Sequence, residues 1–140
     1  MKIISFLLFL AIFAAGPCEA ANLVVRVVGV SESRGDIRAS LCTEKDFLGE
    51  GCPYDVVKRA EAGLTLLEFR DVPPGRYALQ LFHDKNGNQE FDSNFIGIPA
   101  EGFGFSRDAP LRGRPSFKDA VFDLPDDGAN IMVTMRYSIF

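Results

Sequence analysis

The feature that most limits what this chain can become is a series of short two-residue alternations, each halted by glycine, proline or a polar cluster. Asp36 to Cys42 sets Ile37, Ala39 and Leu41 against Asp36, Arg38 and Ser40. A period of two sends such sets to opposite faces of a strand. Arg76 to His83 repeats the pattern, with Tyr77, Leu79 and Leu81 opposed to Ala78, Gln80 and Phe82. Asn22 to Val30 is β-branched and mostly apolar, and Leu64 to Phe69 also fits a strand. Two further strands are expected over Lys118 to Leu124 and Asn130 to Tyr137, the last with Ile131, Val133, Met135 and Tyr137 on one face. Ser31 to Gly35, Asp71 to Gly75 and Pro125 to Gly128 supply the turns. No long segment has a helical period. Only a short helical turn near Val56–Ala60 is expected within the mixed stretch 43–63. Closely spaced strands with turns between them predict an all-β, antiparallel sandwich.

The first twenty residues have a separate reading. Lys2 gives a positive start, Ile3 to Ala15 is apolar but short for a bilayer span, and Cys18-Glu19-Ala20 offers small residues at a cut. This is a secretory signal pattern with cleavage after Ala20. The expectation is export to the periplasm or the extracellular space, no transmembrane segment after cleavage, and one domain over residues 21–140. Net charge is −4 with or without the leader, which removes one Lys and one Glu. A mildly acidic chain without a basic stripe argues against nucleic acid as partner. Cys42 and Cys52 remain, and an even count in an exported chain predicts a disulfide.

Residues 84–117 are rich in Gly, Pro and Asn, yet hold five Phe. Connections this long are functional or disordered, and the aromatics argue for order. The stretch opens Asp84-Lys85-Asn86-Gly87-Asn88-Gln89-Glu90-Phe91-Asp92. Oxygen-bearing side chains at the first, third, fifth and ninth positions match an EF-hand-type calcium loop. The metal-ligating set is then Asp84, Asn86, Asn88 and Asp92, the Glu90 carbonyl, and Glu101 folding back. Two positions depart from that pattern. The sixth is Gln89 where glycine is wanted, and the twelfth is Phe95 where a bidentate glutamate belongs. The competing reading is a metal-free turn held by side-chain-to-backbone bonds. Gly97, Gly102 and Gly104 are read as permitting special backbone angles. Phe95, Phe103 and Phe105 are read as staples to the sandwich, or as an aromatic platform for sugar or peptide.

These same residues carry a resemblance. The run His83-Asp84-Lys85-Asn86-Gly87-Asn88, then Phe91-Asp92, Gly97-Ile98-Pro99, Glu101 to Ser106 and Pro115-Ser116-Phe117 resembles the bacterial secreted family known as domain of unknown function 2141. Val72 to Ala78 fits that family's turn into the strand before the loop. The resemblance implies an exported β-sandwich of immunoglobulin-like or transthyretin-like type, and no activity.

His83 is the lone histidine, beside Asp84 and upstream of Ser106, so a hydrolase using His83 and neighbouring carboxylates is the alternative. No Gly-x-Ser-x-Gly elbow supports it. The reading adopted is a binding or structural module of the cell envelope, whose partner is an envelope protein or carbohydrate. A second rival is a subunit that adds an edge strand to a partner.

Overall fold

The computed structural model describes residues 20–111 and 113–138. The expected leader therefore lies outside the described residues, except for Ala20. The strands are β1 (Ala21–Val30), β2 (Asp36–Cys42), β3 (Tyr54–Arg59), β4 (Gly63–Val72), β5 (Gly75–Asp84), β6 (Gly102–Phe105), β7 (Phe122–Leu124) and β8 (Ala129–Thr134). A 3₁₀ turn, Ser106–Asp108, and one short helix, α1 (Phe117–Ala120), lie between β6 and β7. One sheet runs β4-β1-β8; the other runs β3-β2-β5-β6, with β7 paired to the start of β5.

The alternation seen in the sequence decides which faces meet. Leu23, Val25 and Val27 of β1, Leu67 and Phe69 of β4 and Val133 of β8 face Ile37, Ala39 and Leu41 of β2 and Leu79 and Leu81 of β5. These apolar faces exclude water and hold the two sheets together as a sandwich. The Tyr77 hydroxyl donates to the Pro73 carbonyl at 2.8 Å, which ties strand β5 back to the turn that launches it. Beyond β8, Arg136 and Phe103 exchange two backbone hydrogen bonds at 2.8 Å, so the C-terminal tail crosses to the second sheet.

Four local expectations give way. Val56–Ala60 is not helical: Tyr54–Arg59 forms edge strand β3, because the β-branched pair Val56-Val57 suits an extended chain against β2. Lys118 begins no strand, since the Ser116 side chain accepts from the Asp119 amide and caps a helical turn. Gly102–Phe105, expected in a loop, is strand β6. Strand β8 pairs with β1 in parallel, whereas every other pairing between strands among the described residues is antiparallel.

Candidate functional site

The outer face of the second sheet is read from its register. Arg38 lies opposite Phe82, and Phe82 opposite Phe103. In the next row Ser40 lies opposite Gln80, and Gln80 opposite Phe105. These residues floor an open groove of about 640 Å³. One wall is the loop after β2, closed by a Cys42–Cys52 disulfide with Cα atoms 4.6 Å apart, as the cysteine count predicted. Gln80 pins that wall, accepting from the Leu48 amide at 2.9 Å and donating to the Gly49 carbonyl at 3.5 Å. The other wall is the loop after β5, where Phe91 packs at a tilt on Phe82 and edge-to-face on Phe103, at centroid distances of 5.6 and 6.0 Å. The aromatic chain continues through Phe105 to Phe47 and Phe117. Phe103 and Phe105 are not loop staples: they belong to strand β6 itself, and Phe103 is one of the rings on which the loop's Phe91 packs. Phe95 is no staple either: it is fully exposed at the loop tip, and Phe91 takes its place.

Asp84 organises the second wall. It follows His83 on β5 and so points to the outer face, under the loop, with none of its surface exposed. Its Oδ1 accepts from the Gly87 amide at 2.8 Å, and its Oδ2 accepts from the Gln89 amide at 3.0 Å and Arg38 Nε at 2.9 Å. Burial alone would raise its pKa. The bonds from Arg38, Gln89 and Gly87, with the Arg38 charge, outweigh burial and hold the carboxyl below its usual value.

The remaining residues of the expected metal set lie in the same wall. Asn86 Oδ1 accepts from the Asn88 amide, and Asn88 Oδ1 from the Glu90 amide, each at 3.0 Å. Both Asn side-chain amides donate to the Asp92 carboxylate. The Glu90 side chain lines the groove. Glu101 does fold back, but onto backbone: it accepts from the Lys85 and Asp92 amides at 3.0 and 3.3 Å and joins the two ends of the loop. Among the described residues no group of three or more His, Cys, Asp or Glu side chains gathers as a metal cluster. Gly97 has φ of 81°, as expected of a special turn. Gly102 and Gly104 do not need that freedom. A Cβ at Gly102 would collide with the Tyr137 ring, and one at Gly104 would sit 2.8 Å from the Thr134 carbonyl.

His83 points the other way, into the inner face, and is fully buried. Its Nε2 lies 2.6 Å from the Arg34 carbonyl, which can only accept, so Nε2 carries the proton. Nδ1 then accepts from the Tyr137 hydroxyl at 2.6 Å. His83 and Asp84 thus occupy opposite faces of one strand. Ser106 is also buried, bonded to the Leu79 amide and the Ala120 carbonyl. Leu79 is four residues from His83, roughly 13 Å along the strand. The structure does not bring the three together.

Arg38, Ser40, Gln80 and Phe82 are groove residues that sequence reasoning missed. They alternate outward on β2 and β5, but only the register shows that they meet. Together the elements define a class: an all-β sandwich with a walled, aromatic-floored groove on one sheet. The chain belongs to the family described as uncharacterized proteins conserved in bacteria (DUF2141), which it matches over residues 25–132. No curated protein and no solved structure matches it.

Proposed function

We propose that the protein is an exported binding module of the cell envelope and that the groove is its ligand site. The observation that carries this reading is the combination of an exposed Phe91 ring and the half-buried Phe82 and Phe105 with Arg38, Ser40 and Gln80, between two tethered walls. Ligand sites are concave and mostly apolar, with a few placed polar groups. Export is supported by the leader pattern and the disulfide, and no helix among the described residues is long and apolar enough to cross a membrane. The partner is an envelope protein or carbohydrate. The test is amide chemical-shift mapping with defined envelope oligosaccharides and peptides. Shifts should gather on Arg38, Ser40, Gln80, Phe82 and Phe103. Shifts gathered instead on the outer face of β4-β1-β8 would overturn the reading.

One observation favours a second role for the Asp84 wall. Gln89, at the loop's sixth position, holds φ of 69°, the left-handed angle for which calcium loops use glycine. The proposed donors are Asp84, Asn86, Asn88, Asp92 and the Glu90 carbonyl, with Glu101 in reserve. Millimolar calcium added after chelation should raise the melting temperature. An unchanged melt overturns this reading and leaves the groove reading standing.

A further inference from the structure

We propose that the groove recognises the C-terminal carboxylate of a peptide chain ending in an apolar residue, with Arg38 as the carboxylate anchor. The inference rests on the groove reading and names its ligand. Arg38 is held from behind, because its Nε donates to Asp84, which is itself fixed by two backbone amides. A guanidinium clamped in this way loses little freedom when it binds. Its side chain keeps 24 % exposure and lines the groove, and its Nη atoms have no acceptor among the described residues. A guanidinium edge with free N–H donors matches the two oxygens of a carboxylate.

Position selects the rest of the ligand. Phe82 is the direct cross-strand neighbour of Arg38, with Phe103 next in the row and Phe91 above them. Such neighbours stand about 5 Å apart. The ligand must therefore carry an apolar group within one residue of its carboxylate. A peptide C-terminus does, since the terminal side chain and the carboxylate share a Cα. A fatty acid would leave its tail half in water along an open groove, and an acidic sugar bears its carboxylate on a polar ring. Glu50 and Glu90, one on each wall, favour a basic residue farther up the peptide.

The test compares acetylated five-residue peptides ending in Leu, Phe or Val, each as free acid and as C-terminal amide, titrated into the intact mature protein by calorimetry. At least one free acid should bind, with its amide at least tenfold weaker. Phe91→Ala, which removes an exposed wall ring without touching Asp84, should weaken the same acid. Arg38→Lys should also weaken it, because the charge stays while the fork is lost. The acid-amide comparison needs no variant and holds even if Arg38→Lys folds poorly. Equal binding of acid and amide, still lost in Phe91→Ala, would overturn the carboxylate anchor while keeping the groove. Binding of laurate but of no peptide, or binding of none of these probes, would overturn the proposal.

Discussion

Removing the Asp84 side chain should destabilise the free protein even in the presence of a chelator. Asp84→Ala leaves the Gly87 and Gln89 amides without their acceptor and Arg38 without its partner. A hydrogen bond to a charged group contributes about 1.5 kcal/mol or more, so the two amides account for about 3 kcal/mol. Arg38 keeps a quarter of its side-chain surface in water and can rehydrate, so the ion pair adds only about 0.5 to 1 kcal/mol. The total is about 3 to 4 kcal/mol, or roughly 10 to 15 °C in melting temperature for a domain of this size. Asp84→Asn should not rescue, because its NH₂ group would face donors. Thermal and urea unfolding followed by circular dichroism, in EDTA, measures both variants. Asp126→Ala, in the exposed turn before β8, is the control and should stay within about 0.5 kcal/mol. A loss below about 1 kcal/mol for Asp84→Ala would refute the claim that this carboxylate holds the wall.

The same carboxylate should leave a pH signature. Its folded pKa is depressed, so its stabilisation is complete above the unfolded aspartate value near 3.9 and fades as pH falls through the lower folded value. The stability gap between wild type and Asp84→Ala, from urea midpoints, should therefore shrink below about pH 4. Intact mass without reductant should show the described domain two hydrogens lighter than its sequence, and replacing Cys42 and Cys52 by Ala should cost at most about 3 kcal/mol by the loop-entropy model. Two thiols alkylated in the native protein would contradict the bond. His83→Ala should cost about 3 kcal/mol in urea unfolding, since it empties a buried site and removes one of the two partners of the Tyr137 hydroxyl, the Ser31 amide being the other; Tyr137→Phe, which removes both bonds, should lose about 1 to 2 kcal/mol.

Much of the sandwich was legible because half-buried strands write their faces into the sequence. β2 and β5 alternate cleanly, and the Val72-Pro73-Pro74-Gly75 turn marks where β5 starts. Strand β3 was missed because it is an edge: of its residues only Tyr54 and Val56 are part-buried, which leaves almost no alternation to read. Strand β6 was hidden by its own glycines, which look like loop but are there so that the Tyr137 ring and the Thr134 carbonyl can approach. The loop's oxygen spacing was visible, and its Asn and Glu bonds are local. The groove was not visible. Arg38 and Asp84 are 46 residues apart, with strands β3 and β4 between them, and nothing in either neighbourhood signals the other. Pairing across a sheet depends on register, which a single sequence carries only weakly.

The parallel pairing of β1 and β8 sets the timing of folding. β1 is the middle strand of its sheet, and one of its two neighbours is the last strand of the chain. Leu23 and Ala129 must meet across about a hundred intervening residues before that ladder can start. The entropy of closing so long a loop is lost before the contacts repay it, which places this sheet among slowly forming, non-local structures. A chain emerging from its N-terminus can pair β2, β3 and β5 early, but it cannot complete β1 until residue 134 is free. Until then the apolar faces of Val25 and Val27 lack the cover that β8 gives them. A chain that lacks its last strand is thereby kept from closing its core, so loss of β8 by truncation removes a whole edge of the first sheet.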